Sequence, residues 1–186
     1  PKVIGITGTN GKTTVSYLLE YLLTQAGKSS GVLGTVAYRW PGHYEEAPLT
    51  TPGCLSLHSL LARMGACGVE YAVMEVSSHA LDQSRVAGID FSAGLFTNLT
   101  QDHLDYHGSM QAYWASKARL FAWPGLEHAV INVDDAHGAE LAASLTAQGL
   151  DVWSTSTRQD ARLTARAMVY SEAGLQFEVH EDKDCA

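Results

Sequence analysis

The chain has 186 residues, with 12 Lys and Arg against 20 Asp and Glu, and a formal net charge of −8. Its length suits one domain with a sizeable buried core, and 46% hydrophobic with 17% charged residues excludes a disordered chain. The acidic balance argues against a nucleic-acid binder or a membrane-surface binder, since both need an excess of Lys and Arg. Any anionic ligand must therefore meet a local positive site.

Strand and helix patterns alternate along most of the chain. Apolar, β-branched runs predict buried strands, and leucines at helical spacing predict helices between them. In chain order we predict a strand over 2–7, a helix over 13–25, a strand over 30–36, a loop or hairpin around 40–48, a helix over 55–64, strands over 71–76 and 91–97, a helix over 109–122, a strand over 129–133 and a helix over 136–147. Such alternation is typical of a parallel sheet with both faces covered.

From residue 162 the apolar spacing changes to a period of two. Apolar residues alternate with other residues from Leu163 to Val169 and from Leu175 to Val179, and residues 172–174 separate the two runs. This spacing predicts an antiparallel hairpin at the edge of the sheet. The predicted fold class is α/β, a P-loop-type, mostly parallel sheet flanked by helices, with an antiparallel hairpin extension near the C-terminus.

The three cysteines, Cys54, Cys67 and Cys185, form no C-x-x-C pair. Their odd number argues against a disulfide framework or a thiolate zinc site and favours a reducing, cytoplasmic compartment. No apolar run approaches the ~20 residues of a membrane span, and no secretory signal opens the chain. Because the chain begins with Pro1 and ends in a charged segment, we expect it to be a piece of a longer protein.

A glycine-rich segment, residues 7–14 (TGTNGKTT), joins the first strand to the first helix and is called the phosphate loop below. Glycines let N–H groups turn toward phosphate, and the helix N-terminus adds partial positive charge. Lys12 would reach the β- and γ-phosphates and the Thr13 hydroxyl would contact Mg²⁺. The strict G-x-x-x-x-G-K-[ST] spacing is not met, because Ile6 stands where the first glycine is required. A glycine-rich turn with a solvated lysine is the alternative. The residues predicted to bind the nucleotide phosphates are Gly8, Thr9, Asn10, Gly11, Lys12, Thr13 and Thr14.

Glu75 lies at the C-terminal end of the predicted strand 71–76, at the edge where ligands of open parallel sheets bind. A carboxylate there suits Mg²⁺, which takes oxygen ligands beside substrate phosphates. From the residue alone, a salt bridge at the strand end is an equally good interpretation.

A polar segment, residues 97–108 (TNLTQDHLDYHG), follows the next strand and reaches the same edge. Its Asp102, His103, Asp105 and His107 have the chemistry of metal ligands or acid–base groups. The alternative is that the aspartates are turn or cap residues and the histidines are exposed.

Three further residues carry no chemistry on sequence grounds alone. Lys117 lies in the middle of a predicted helix, and that position predicts a cation on the surface. Thr50 and Thr51 precede the helix predicted over 55–64 and suit a capping role at its start.

Three functions each explain only a part of these motifs. A P-loop kinase or GTPase is disfavoured, because Glu75 stands in place of a Walker-B aspartate and no N-K-x-D motif occurs. A metallohydrolase built on Asp102, His103, Asp105 and His107 leaves the phosphate loop unexplained. A non-catalytic nucleotide-binding module needs the phosphate loop alone.

Five segments together resemble the Mur ligase family of cell-wall amino-acid ligases, most closely its tripeptide-forming branch. The segments are TGTNGKTT, TTPG, MEVSSHAL, TNLTQDHLDYHG and SKARLF, at residues 7–14, 50–53, 74–81, 97–108 and 116–121. The phosphate loop and Glu75 are shared across the family and with folate and cyanophycin ligases. DHLDYHG followed by SKARLF is much more specific to the tripeptide-forming branch. The likeness is clear over residues 1–135 and loose in the hairpin region.

The resemblance implies site roles that the residues alone leave open. It implies catalytic roles for Lys12, His103 and Lys117. It also implies that Mg²⁺ is held by Thr13, Glu75, His103 and Lys117, the last as a carbamate formed with carbon dioxide that bridges to a second Mg²⁺. The substrate-binding residues that it implies are Thr50, Thr51, Ser77, Gln83 and Arg85. Leu49 departs from the polar residue often found before the TTP motif.

The implied reaction adds the third amino acid, meso-diaminopimelate or L-lysine, to UDP-N-acetylmuramoyl-L-alanyl-D-glutamate in peptidoglycan biosynthesis. ATP phosphorylates the D-glutamyl carboxylate, and the incoming amine displaces phosphate from the acyl phosphate. The alternatives are another Mur-type or folate- or cyanophycin-type ligase, or a non-catalytic ATP-binding module.

The resemblance also implies a domain assignment for residues 1–186. We expect the central ATP-binding domain, incomplete at its C-terminal end, without the N-terminal UDP-binding and C-terminal amino-acid-binding domains. Such a fragment is expected to be inactive alone and monomeric. Its partners would be the two small-molecule substrates, with no nucleic acid and no membrane.

Overall fold

The structure is a computed structural model that describes residues 1–172 and 174–182. It divides into two compact units, Pro1–Glu127 and His128–Ala186. Ala173, in the predicted hairpin turn, and Cys185 lie outside the described residues. Among the helices of the described part, none has the length and apolar character needed to cross a membrane.

The first unit contains six strands and their covering helices within the described residues. Its elements are β1 (Lys2–Thr7), α1 (Lys12–Gln25), β2 (Ser30–Leu33), β3 (Ala37–Trp40), β4 (His43–Glu46), α2 (Cys54–Ala66), β5 (Tyr71–Glu75), α3 (Ser78–Asp82), β6 (Phe91–Phe96), α4 (Leu104–His107), α5 (Met110–Ala118) and a 3-10 helix (Arg119–Ala122). The strand order is β6-β1-β5-β2-β3-β4. The first four strands in this order run parallel, and β3 and β4 extend β2 as an antiparallel meander.

The parallel register brings three loops to one edge of this sheet. Ile6 of β1 pairs with Glu75 of β5, and Thr7 pairs with Phe96 of β6. Because the carboxyl ends of parallel strands share an edge, the phosphate loop, Glu75 and the segment after β6 lie there together. This placement confirms the edge predicted from the order of strands and motifs.

Each face of the sheet buries a different helix. On one face, Ile6, Val32 and Val73 form a buried cluster, and apolar residues of α1 such as Leu19 pack against it. On the other face, Gly5 leaves room for Phe91, because a Cβ at residue 5 would lie 2.8 Å from that ring. The central strand thus separates α1, which carries Lys12, from the segment formed by α5 and the 3-10 helix, which carries Lys117.

The second unit is described separately. It contains β7 (His128–Asn132), α6 (Ala136–Ala147), β8 (Asp151–Ser156), β9 (Leu163–Ser171) and β10 (Gly174–Glu181). Their order is β7-β8-β9-β10, with parallel β7–β8 and β8–β9 pairs and an antiparallel β9–β10 pair. The predicted hairpin and the α/β class are therefore confirmed.

Several details differ from the predicted elements, and the short helices α3 and α4 were not predicted. Strand β2 ends at Leu33, because the chain then bends around the Glu75 carboxylate. The helix predicted over 109–122 is α5 followed by a tighter 3-10 turn. Strand β8 was not predicted at all, because its polar residues, such as Ser154 and Thr155, give it only a short apolar signal.

Candidate functional site

The phosphate loop joins β1 to α1, and Gly11 makes this turn with φ = 86° at the N-cap. Lys12 opens the helix, and its Nζ donates to the Gly8 carbonyl at 2.7 Å and to the Thr9 carbonyl at 2.9 Å. Burial lowers the pKa of Lys12, although the nearby Glu75 carboxylate opposes the shift. The loop therefore holds a primary amine at a helix N-terminus, an arrangement that suits a phosphate group.

The segment after β6 clamps the phosphate loop through Asn98. The Thr9 N–H donates to the Asn98 carbonyl at 2.9 Å, and the Asn10 N–H donates to Asn98 Oδ1 at 3.0 Å. The Asn98 Nδ2 donates in return to the Asn10 carbonyl at 3.1 Å, as does Thr97 Oγ1 at 2.7 Å. The amides of Thr9 and Asn10 are thus engaged within the protein. This clamp was missed from the sequence, although its position directly after the neighbouring strand β6 is a usable signal.

We expect Gly8→Ala to disrupt this clamp. A Cβ at residue 8 would lie 1.9 Å from Thr97 Oγ1, and Gly8 has φ = +141°, where side chains are strained. The expected loss is about 3 kcal/mol in the free energy of unfolding, with weaker ATP binding, measured by denaturant titration and calorimetry. Gly27→Ala is the matched control, because Gly27 also has a positive φ (+70°) but nothing within 4 Å. Equal losses in the two variants would contradict the steric explanation.

Glu75 is 1% exposed, at the end of β5. Its carboxylate accepts from the Thr35 N–H at 3.1 Å and from Thr35 Oγ1 at 2.9 Å. A Cβ at Gly34 would lie 2.3 Å from Oε1, so the chain passes closely around this group. Within the described residues Glu75 makes no ion pair, and a carboxylate with free lone pairs suits Mg²⁺ better than the salt-bridge alternative.

Lys117 is 1% exposed, and the surface cation predicted from its helix position is wrong. Its Nζ donates to the Gly8 carbonyl at 2.9 Å and lies 4.4 Å from the centre of the Tyr113 ring. Burial, together with the charge of Lys12, lowers the pKa of Lys117 to about 7. A large fraction of this amine is therefore neutral near neutral pH, and the helix hides it because α5 faces the sheet with Tyr113, Ser116 and Lys117.

Three histidine rings lie close to one another, but they are not arranged around a common point. The ring of His79 lies 4.8 Å from that of His103 and 5.5 Å from that of His107. Burial, followed by the charge of neighbouring groups, lowers the pKa of His79, and burial is also the main cause of the lowered pKa of His107. No group of three His, Cys, Asp or Glu side chains among the described residues is arranged to hold a metal ion. This geometry does not support the zinc-type metallohydrolase, whereas Mg²⁺ beside phosphates needs one or two protein ligands.

His103 lies between the phosphate loop's clamp and α4. It has φ = 51°, a left-handed backbone that also serves as the N-cap of α4. Its Nε2 is 3.6 Å from Asp102 Oδ2, with both side chains about half exposed. The imidazole is thus available at the edge, as a metal ligand would need to be.

The hydroxyls of Thr51 and Ser77 already have partners within the protein. Thr51 is fully buried, and its Oγ1 donates to the Glu75 carbonyl at 2.8 Å and accepts from the Ser77 N–H at 3.0 Å. Ser77 Oγ accepts from the Ala80 N–H and caps α3. Thr50 Oγ1 lies 3.1 Å from Thr35 Oγ1, beside the Glu75 site. These contacts tie the segment before α2 to the end of β5.

Gln83 and Arg85 also reach this edge. The Arg85 Nε and Nη2 donate to Gln83 Oε1 at 2.9 and 2.6 Å, and Nη1 donates to the Thr51 carbonyl at 3.3 Å. The structure thus brings the sequence-predicted site residues together from five separate segments of the first unit. A bound nucleotide and an anionic second substrate would both find cationic groups there.

Comparisons with known proteins agree with this geometry. A family model described as "Mur ligase middle domain" matches residues 6–185. The chain is 49% identical over 180 residues to the UDP-N-acetylmuramoyl-L-alanyl-D-glutamate–2,6-diaminopimelate ligase of Lawsonia intracellularis, covering 95% of this chain and 37% of that protein. It therefore spans little more than a third of that relative.

Solved structures show the same fold. A ligase structure of the same name superposes with a TM-score of 0.88 at 36% identity, over 98% of this chain and 37% of that one. Folylpolyglutamate synthase of Mycobacterium tuberculosis, complexed with ADP and AMPPCP, superposes with a TM-score of 0.65 at 18% identity, over 96% of this chain and 47% of that one. At that lower identity the likeness extends to the fold alone.

Proposed function

Because this chain belongs to the Mur ligase family and matches its middle domain, we propose that it is the ATP-binding centre of a diaminopimelate-adding ligase. The proposed reaction joins 2,6-diaminopimelate to UDP-N-acetylmuramoyl-L-alanyl-D-glutamate, and the names of the similar ligases support that substrate pair. The observation that carries the proposal is the meeting of Lys12 and Lys117 at the Gly8 carbonyl, at 2.7 and 2.9 Å, beside a buried carboxylate. The nearest alternative within the resemblance, a folate-type ligase, has support only from the fold.

In this reaction the chain's main task is to hold two anions together. The ATP γ-phosphate must approach the D-glutamyl carboxylate, and an acidic protein opposes this approach unless local cations neutralise both. Lys12 and the α1 N-terminus would hold the phosphates, and Arg85 would hold the second substrate. Mg²⁺, when bound by Thr13, Glu75 and His103, would supply further neutralising charge. The carboxylate gains the phosphoryl group, ADP leaves, and the amine then displaces phosphate to form the amide.

Lys117 is proposed to act as a carbamate. Its neutral amine would attack carbon dioxide, forming an N–C bond and releasing one proton, so that an uncharged amine becomes an anion. Burial and the pKa of about 7 support this chemistry, because an ordinary lysine is almost wholly protonated near neutral pH. An anion beside Lys12 would also relieve the repulsion that the two amines now share.

We expect carbamate occupancy to rise with pH at fixed dissolved carbon dioxide. Only the free amine reacts, and Lys117 loses its proton around pH 7 instead of near its ordinary pKa of 10.5. Occupancy should therefore climb steeply between about pH 6 and pH 8. The measurement is carbon-13 NMR of the complete protein in labelled bicarbonate. The signal must vanish in Lys117→Met, and a signal that persists there or falls with rising pH would contradict the assignment.

The proposed function is tested by phosphate release from the complete protein with Mg-ATP and UDP-muramoyl-dipeptide across a panel of amino acids. We expect release that needs both the dipeptide and diaminopimelate. Release without any amino acid would favour a kinase or an ATPase, and ATP binding without release would favour the non-catalytic module. Residues 1–186 alone are proposed to be inactive, since the matched part covers only 37% of the similar ligase. Diaminopimelate-dependent release by this fragment would refute that point.

A further inference from the structure

We propose that Tyr106 is a positioning residue that orients the Arg85 guanidinium through the Gln83 side chain, and that Asp82 sets the direction of this hydrogen-bonded chain. The inference rests on the proposed function, in which Arg85 meets an anionic part of UDP-muramoyl-dipeptide. Neither Tyr106 nor Asp82 is among the site residues predicted from the sequence.

Four side chains form one continuous chain of hydrogen bonds. Tyr106 of α4 donates its hydroxyl proton to Asp82 Oδ2 at 2.8 Å. The Gln83 Nε2 donates to the same phenolic oxygen at 3.1 Å. Gln83 Oε1 then accepts from Arg85 Nε and Nη2 at 2.9 and 2.6 Å. The phenol thus connects the carboxylate to the guanidinium.

The donors and acceptors of these four side chains permit only this direction of hydrogen bonding. An ionised Asp82 can only accept, so the single proton of the Tyr106 hydroxyl goes to it. The phenolic oxygen must then accept from Gln83, which turns the amide NH₂ toward Tyr106 and the amide oxygen toward Arg85. Arg85 can only donate, so the amide orientation matches it. Reversing the amide would place donors against donors.

The backbone brings the members of this chain together at the end of α3. The Arg85 N–H donates to the Ala80 carbonyl at 2.8 Å, and Ser84 has φ = 54°. This is the Schellman pattern of a helix end, here with serine at the left-handed position where glycine is usual. The tight turn holds Gln83 and Arg85 on one side. Asp82, one residue earlier, also lies 3.8 Å from Arg119.

Three of the five Arg85 N–H groups are engaged by Gln83 and the Thr51 carbonyl. The two remaining N–H groups, one on Nη1 and one on Nη2, have no partner among the described residues. A planar guanidinium with an open edge suits a carboxylate or a phosphate. How well that edge binds an anion depends on the direction in which the guanidinium points, and Gln83 and Tyr106 set this direction.

The first test is Tyr106→Phe in the complete ligase. Tyr106 is 42% exposed, so the variant should fold with an unchanged melting temperature. Losing the phenol frees the Gln83 amide to rotate, and we expect the Kd and KM for UDP-muramoyl-dipeptide to rise about tenfold, with an unchanged Kd for ATP. Tyr44→Phe is the matched control, because Tyr44 is 64% exposed and its hydroxyl makes no hydrogen bond among the described residues.

The second test is Asp82→Asn, alone and combined with Tyr106→Phe. Arg119 can only donate, so the new amide would turn its oxygen to Arg119 and its NH₂ to Tyr106. The Tyr106 hydroxyl would then donate its proton to Gln83 Oε1. The Gln83 amide would have to flip, and its NH₂ group would face the donors of Arg85. We expect Asp82→Asn to weaken dipeptide binding about as much as Tyr106→Phe, and the double variant to be no weaker than either single one.

The outcomes separate this proposal from the proposed function. A wild-type protein without diaminopimelate-dependent phosphate release defeats the function itself. Normal dipeptide binding in Tyr106→Phe, alongside a strong loss in Arg85→Ala, overturns the role of Tyr106 while the function stands. Additive losses in the double variant overturn the coupled chain. Equal losses in Tyr106→Phe and Tyr44→Phe would reduce the effect to a nonspecific one and also overturn it.

Discussion

Replacing Lys117 with alanine in the complete ligase is expected to lower kcat roughly 10²- to 10³-fold, with ATP binding largely retained. The amine is buried, 2.9 Å from the Gly8 carbonyl, and its pKa of about 7 leaves it ready to form a carbamate. Alanine removes the anion that would hold Mg²⁺ close to the transferring phosphoryl group. The measurement is steady-state phosphate release with both substrates saturating.

Short carboxylates provide the discriminating control for Lys117→Ala. Acetate or formate can enter the space left by the side chain and restore an anion there, so partial recovery of kcat is expected. Lys28→Ala is the matched lysine control, because Lys28 forms an exposed ion pair with Glu70 away from the phosphate loop. No loss of activity, or a loss that carboxylates do not rescue, would contradict the carbamate.

Replacing Lys12 with methionine is expected to weaken ATP binding by about 100-fold or more. Lys12 Nζ donates to the carbonyls of Gly8 and Thr9 within the phosphate loop, and burial has already lowered its pKa. Methionine keeps the length and apolar stem of the side chain but removes the donor and the charge. The measurement is calorimetric titration of ATP and ADP into the variant.

The comparison of Lys12→Met with Lys117→Ala separates an enzyme from a binding module. A ligase should lose nucleotide affinity with the first variant and mainly kcat with the second. A non-catalytic module should lose ATP binding with Lys12→Met, and its ATP binding should not change measurably with Lys117→Ala or His103→Ala. Unchanged ATP binding in Lys12→Met would contradict the phosphate-loop assignment itself.

Most of the fold of the first unit could be predicted from local patterns. The β1 run KVIGIT and the leucines of α1 predict their elements almost to the residue, because buried strands and amphipathic helices differ in apolar spacing. In the second unit, strand β8 was missed because its side chains are mostly polar, and pairing with β7 and β9 stabilises it. Strand β2 ended early because the backbone bends around Glu75, which lies 40 residues or more away in sequence.

The candidate site was predictable only in part. The phosphate loop and Glu75 follow from their places after strands, since ligands of parallel sheets bind at that edge. The Asn98 clamp had one usable signal, its position directly after β6, whereas the proposed role of Tyr106 depends entirely on partners that folding brings close. Thr51 shows the same limit, since its buried hydroxyl is engaged by Glu75 and Ser77.

The amino-acid sequence by itself determined the α/β class, the order of elements and the chemistry of the phosphate loop, because these depend on spacing within a few residues. Only the tertiary structure decided the character of Lys117, which the helix pattern made a surface cation. The amine meets a carbonyl 109 residues away in sequence, and desolvation at that contact sets its pKa. The same holds for the orientation of Arg85, because hydrogen-bond direction is a property of assembled partners and not of any one residue.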